Sequence, residues 1–148
     1  MTKIRHQNIP ASYLVLIKNG KILLLRRFNT GYEDGKYSLV AGHVELGETF
    51  IQTIIREAEE EAGIILQAED LEFVHMMHRN SRTDENNERV DTFFLAKNWG
   101  GKIENKEPQK CDELSWFDLE DIPENTIPYI REAIVCIKNK NYYSEFGW

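Results

Sequence analysis

The dipeptide Asn19-Gly20 stands between two runs that are almost wholly apolar, Ser12 to Lys18 (S-Y-L-V-L-I-K) and Lys21 to Arg27 (K-I-L-L-L-R-R). Asn and Gly both tolerate positive φ, so the pair closes a two-residue hairpin turn, the strongest short hairpin signal a sequence carries. A strand with one solvated face alternates apolar and polar residues. These runs do not alternate, and they predict strands buried on both faces. Such a hairpin needs a covering layer on each side, which the rest of the chain must supply.

The remainder supplies strands and two helices. At 148 residues the chain is long enough to bury a core without staples, and residues 1–148 read as one domain, with no repeat, low-complexity tract or linker. A loop with Gly31 and Gly35 as turn residues is expected from Phe28 to Lys36, then a short strand over Tyr37 to Val40 ending at Ala41-Gly42. From Thr49 to Ala62 the residues Phe50, Ile51, Ile54, Ile55, Ala58 and Ala62 recur at helical spacing, and Gly63 is a C-terminal stop. Glu72 to His78 and Arg89 to Lys97 read as strands, joined by a polar stretch, Arg79 to Glu88, expected to form a mobile hairpin loop. Gly100-Gly101 breaks the second of them. Glu113 to Phe117 is a further short strand, a turn follows over Asp118 to Pro123, and Ile127 to Ile137 is a second amphipathic helix. Strands, helix, strands, helix predict an α+β fold in which a mixed sheet lies between helices.

Charge and composition exclude several function classes. The formal net charge is -7, with no basic run to offset it, so a nucleic acid polymer is not an expected partner. Apolar runs such as Tyr13 to Ile17 are far too short to span a bilayer, and with a polar stretch from Met1 to Gln7 no signal peptide is expected. Cys111 and Cys136 lie far apart and read as free thiols of a reducing compartment, so a cytoplasmic protein is expected. A homodimer is left open by the sequence. An acidic protein binds a small polyphosphate when divalent cations stand between the two.

Carboxylates that suit such cations sit on the first helix. Glu57, Glu60 and Glu61 are related as i, i+3 and i+4 and share one face. Like charges repel at that spacing, and anions near a helix C-terminus oppose the macrodipole. A cluster that costs stability points to a compensating cation, and hard carboxylate oxygens suit Mg²⁺ or Mn²⁺ rather than zinc. The alternative is a solvated acidic face with Arg56 as local ion-pair partner; taken alone, these residues leave both readings open.

The whole segment from Gly42 to Ile64 resembles the Nudix box: Gly42, Glu48, Arg56-Glu57, Ala58, Glu60-Glu61, Gly63 and Ile64 stand at the spacing of that motif, with Ala58 smaller than the usual aliphatic residue. Seven Gly, Glu and Arg positions, each at a background of roughly 5–7%, match by chance far less than once in a million. The resemblance implies an α/β/α sandwich and a metal-dependent hydrolase in which water attacks phosphorus of a nucleoside diphosphate derivative. It further implies that Glu57 and Glu61 are the principal metal ligands, that Glu60 binds a further metal or handles the attacking water, and that the Gly42 carbonyl is an additional ligand. Arg56 would orient its neighbouring carboxylates, and Glu48 would be mainly structural. Mg²⁺ is the implied cofactor, with Mn²⁺ as substitute.

Outside the box, Glu113 lies where Nudix enzymes often carry one more metal-binding carboxylate, and Arg26, Arg27 and Lys36 are candidates to meet substrate phosphates. The ADP-ribose branch typically has a proline some sixteen residues beyond the box, yet none occurs between Pro10 and Pro108. Dinucleoside polyphosphate enzymes often have a tyrosine there, and none lies between Tyr37 and Tyr129. A (deoxy)nucleoside triphosphate, cut to monophosphate and pyrophosphate as by MutT-like enzymes, is therefore the expected substrate. Where oxidised-purine readers carry paired aspartates, this chain has Ile127-Pro128-Tyr129-Ile130. Alternatives are a nucleotide sugar or dinucleoside polyphosphate as substrate, a non-enzymatic nucleotide-sensing domain, and an acidic interaction domain.

Overall fold

The computed structural model describes residues 2–80 and 88–148. The hairpin forms as its turn chemistry requires. Asn19 and Gly20 take φ of 53° and 73°, and Lys18 pairs with Lys21, Ile17 with Ile22. The first apolar run does not stay in one sheet, however. It divides into β1 (Ile9–Val15) and β2 (Ile17–Lys18), and Leu16 between them accepts a hydrogen bond from the Leu23 amide of β3 (Lys21–Arg27).

β1 belongs to a five-stranded mixed sheet with β5 (Ala41–His43), β6 (Leu71–Asn80), β7 (Glu88–Ala96) and β9 (Tyr143–Phe146), in the order β5-β1-β7-β6-β9. β1 runs parallel to β7 and β6 parallel to β9, while the other pairs are antiparallel. β2 and β3 form the second sheet with β4 (Tyr37–Ser38) and β8 (Cys111–Asp118), which pairs with β3.

Burial on both faces follows the prediction. Ala11, Tyr13, Val15, Ile22 and Leu24 point into one core, which α2 (Pro128–Lys138) covers with Ile130, Ala133 and Ile134. Leu14, Leu16, Leu23 and Leu25 point into the other, which α1 (Phe50–Ala62) covers with Ile54, Ala58 and Ala62. Each fully buried aliphatic side chain contributes roughly 1.5–3 kcal/mol of transfer free energy. The mixed sheet between helices is thus the observed architecture. Cys111 and Cys136 are buried free thiols.

Two departures have physical reasons. Arg79, Asn80 and Glu88 belong to strands, so the polar stretch expected as a loop from Arg79 to Glu88 is shorter at both ends; its residues 81–87 lie outside the described residues. Arg79 remains in the strand because its Nε donates to the buried Asp91 carboxylate at 2.7 Å. β9 was not expected, because its seat is made by a residue far away in sequence. The buried His75 bonds the Asn141 carbonyl through Nδ1 at 2.6 Å and Ser144 Oγ through Nε2 at 2.7 Å. No described helix is long and apolar enough to cross a membrane.

Candidate active site

α1 sets the frame of the site through its two ends. Thr49 and Gln52 form a capping box at its start, each side chain meeting the other's backbone amide. Ser12 Oγ, buried in β1, donates to the Phe50 carbonyl at 2.7 Å and ties that start to the sheet. At the other end Gly63 takes φ of 68°, in the left-handed region, and a Cβ there would meet the Lys102 carbonyl at 2.8 Å. The carbonyls of Glu61 and Ala62 accept from the Lys106 and Glu104 amides, so the chain after residue 100 folds back over the helix end.

Arg56 is the centre of an ion-pair network on the polar face of α1. Its Nε and Nη2 donate to the two oxygens of Glu48 at 2.7 and 3.0 Å, and Nη1 donates to Glu57 at 2.6 Å and to Glu60 at 3.4 Å. The guanidinium holds the Glu48 carboxyl down at about 2 and is itself pushed above its ordinary range, chiefly by Glu48. Glu48 also accepts from the Glu45 amide and the Thr53 hydroxyl, both at 3.0 Å. Thus Arg56 is braced on Glu48 and in turn fixes Glu57.

Glu57 lies against Gly42. A Cβ at Gly42 would stand 2.3 Å from the Glu57 carboxyl carbon, so the motif's first glycine is needed for close approach and not for a special φ. Glu61 is half-buried on the wall of α1 and accepts from the Ala41 amide at 3.2 Å. Burial first, and then the neighbouring Glu57, push its pKa well above the ordinary carboxylate range. Burial, followed by Arg89, lowers that of His43. Glu60 stands at the exposed rim.

These groups line a cleft of about 600 Å³ that also takes in Arg27, Glu107 and Lys110. Of the residues singled out from the sequence, Gly42, Arg56, Glu57, Glu60, Glu61 and Arg27 come together here. Glu113, Arg26 and Lys36 do not. Glu113 pairs with Arg26 in the β3–β8 register, on the face opposite Leu25 and Leu114, and accepts from the Tyr37 hydroxyl. Arg26 makes a two-bond pair with Asp112 at 2.7 and 3.2 Å, and Lys36 pairs with Glu33 at 2.7 Å. Glu107 and Lys110 were not among the site residues expected from the sequence, because they reach the cleft only through the fold-back onto α1. Their local sequence has no periodicity to reveal that.

The donor set fits a hard divalent cation. It consists of the Glu57 and Glu61 carboxyls beside the Gly42 backbone, two hard oxygen donors; among the described residues no group of three or more His, Cys, Asp or Glu side chains is gathered closely enough to hold the ion by itself. The NUDIX domain family model matches residues 8–135. The chain belongs to the Nudix family. It is 30% identical over 109 residues to the ADP-ribose pyrophosphatase of Methanocaldococcus jannaschii, a match covering 74% of this chain and 61% of that protein. It is 29% identical over 119 residues to the NAD-capped RNA hydrolase NudC of Pectobacterium carotovorum, covering 80% of this chain and 42% of that one. The chain thus spans less than two thirds of the length of these curated relatives. Among solved structures, the MutT NUDIX hydrolase of Burkholderia pseudomallei superposes with a TM-score of 0.80 at 26% identity, over 88% of this chain and 98% of that one. Hydrolases of the Nudix family generally use divalent metals, in keeping with the oxygen-rich cleft described above.

Proposed function

We propose that this Nudix chain hydrolyses a phosphoanhydride bond of a nucleoside diphosphate derivative with Mg²⁺, or Mn²⁺ in its place, and that a (deoxy)nucleoside triphosphate is its substrate. The observation that carries the reading is the half-buried Glu61 carboxyl beside that of Glu57, two acids brought together on the wall of one cleft. Glu57 and Glu61 would hold the metal, with the Gly42 carbonyl as a further ligand and Glu60 serving a second metal or the water. When bound, the metal neutralises charge on the phosphoryl oxygens and lowers the pKa of water.

Arg56 keeps Glu57 turned to the cleft. Glu60, at the solvent edge, is suited to take the proton of the attacking water as the new phosphorus–oxygen bond forms. The anhydride oxygen leaves with its electron pair on the departing phosphate. Arg27 faces the cleft from β3 and supplies positive charge for a phosphate oxygen.

A second reading is favoured by the names of the relatives, an ADP-ribose pyrophosphatase and an NAD-capped RNA hydrolase, and takes a dinucleotide-type diphosphate as substrate. A panel of nucleoside triphosphates, ADP-ribose, NAD and dinucleoside polyphosphates, run with Mg²⁺ and with Mn²⁺, decides between them. Monophosphate plus pyrophosphate from a triphosphate supports the first reading. Faster release of AMP from ADP-ribose or NAD than from any triphosphate replaces it with the second, and no metal-dependent product from any of them overturns both.

A further inference from the structure

Beside the carboxylate cleft lies a second cavity of about 310 Å³, and Arg27, Gly42 and Glu61 line both. Three guanidinium groups, of Arg27, Arg79 and Arg89, stand around this second cavity among hydroxyls, with His43 and the Glu61 carboxyl on the side it shares with the cleft. Tyr13, Tyr32 and Tyr129 line it, with the hydroxyls of Tyr32 and Tyr129 3.2 Å apart. Burial raises the pKa of Tyr13 and of Tyr129 far above the ordinary range, so both remain protonated phenols. Arg79 lies over the Tyr129 ring at 3.8 Å from its centroid, held there by its bond to Asp91, and Arg27 lies over Tyr32 at 5.3 Å.

The arginines are arranged in a way that opposes strand pairing. Arg79 and Arg89 are direct partners across the antiparallel β6–β7 pair, and both line the cavity. Like charges at directly opposed positions destabilise a sheet. Asp91 is one compensating carboxylate for this group, in a protein whose net charge is -7. A ligand edge rich in amino groups would find no acceptor in the three guanidinium groups. An acceptor-only, anionic group would meet phenol and guanidinium donors together.

We infer that this second cavity is an anion pocket for a phosphoryl group of the substrate other than the one being cut, with Arg79, Arg89 and the Tyr32–Tyr129 phenols as its specificity-determining residues. Calling that anion part of the substrate rests on the hydrolase reading above; binding of phosphate to the pocket does not. The phosphoryl group belongs either to a polyphosphate tail or to a sugar phosphate.

Calorimetric titration of the full chain in EDTA with inorganic phosphate, pyrophosphate and ribose 5-phosphate tests the pocket whether or not hydrolysis is ever seen. Saturable binding of at least one anion is expected, weakened tenfold or more by Arg89→Gln and by the double change Arg79→Gln with Asp91→Asn, which neutralises both members of that buried ion pair together. Glu57→Gln should bind within about twofold of wild type. Tighter pyrophosphate identifies the polyphosphate tail and tighter ribose 5-phosphate the sugar phosphate; either ranking supports the pocket. Should an arginine variant not fold, Tyr32→Phe removes a single hydroxyl from a surface loop and should weaken binding threefold or more. Absence of saturable binding, unchanged affinity in the folded variants, or binding abolished by Glu57→Gln would overturn the assignment.

Discussion

A guanidinium with Glu48 on one side and Glu57 on the other makes the two carboxylates different in kind, although the motif writes both as Glu. Glu48 is spent on holding Arg56, while Glu57 faces the cleft against Gly42. Replacing Glu57 by Gln should therefore cut kcat by two or more orders of magnitude, about 2.7 kcal/mol or more in the barrier, with the melting temperature little changed. Glu59→Gln, exposed and outside the cleft, should leave turnover within twofold. Steady-state kinetics on both checks this, and equal losses would mean that charge on the helix matters rather than position. Glu48 also makes a prediction about pH. Its folded pKa, about 2, lies below the ordinary 4.5, so its contribution to stability is complete above 4.5 and is lost as the pH falls from there towards 2. The gap in melting temperature between wild type and Glu48→Gln should be widest near neutrality and should narrow below pH 4.5. A gap that keeps its size at pH 3 would show that the carboxylate's charge is not what Arg56 needs. At this scale much was legible, because Gly, Glu and Arg stood at motif spacing. Glu113, Arg26 and Lys36 were not placed by it, since their side-chain direction depends on the strand register and on local ion pairs.

α1 is the element on which the carboxylates depend, and its C-terminal end is where they stand. Gly63 is required there twice, by its left-handed φ and by the Lys102 carbonyl behind it. A side chain in the left-handed region costs roughly 1–2 kcal/mol, and displacing the Lys102 backbone adds to it. Gly63→Ala should lower the melting temperature by roughly 4 °C or more, at about 2–4 °C per kcal/mol for a chain of this size. A melt within 1 °C of wild type would disprove the close approach. The boundaries of α1 were readable from apolar spacing and the glycine stop. The fold-back that brings Glu107 over its end was not, because it consists of backbone bonds from Glu104 and Lys106, and backbone bonds leave no mark on composition. β9 was hidden for a related reason, since the histidine that seats it is more than sixty residues away.

Taken as a whole, the molecule keeps the half-buried Glu61 carboxyl and its neighbour Glu57 on one wall of an open cleft, so a cation that binds the folded chain should stabilise all of it. Saturation at a hundred times Kd corresponds to about 2.7 kcal/mol. Mg²⁺ should accordingly raise the melting temperature of the wild type by several degrees, EDTA should abolish the rise, and Glu61→Gln should show a smaller one. An identical Mg²⁺ response in that variant would remove Glu61 from the metal site. The layered arrangement was legible from the unbroken apolar runs around Asn19-Gly20; the passage of the first run from one sheet into the other was not, because both sheets present it with equally apolar surroundings. That passage has a price in addressing. In a strand with one wet face, slipping by one residue drives every apolar group into water and so corrects itself. β1 has no wet face over Tyr13 to Val15, and a slipped strand would merely trade one oily environment for another. Ser12 acts as the index mark instead: its hydroxyl finds the Phe50 carbonyl, with Thr92 Oγ1 at 3.3 Å, only when the strand is seated correctly. The alignment of α1 against the sheet is thus read from one small hydroxyl, which an apolar side chain at the same position could not supply.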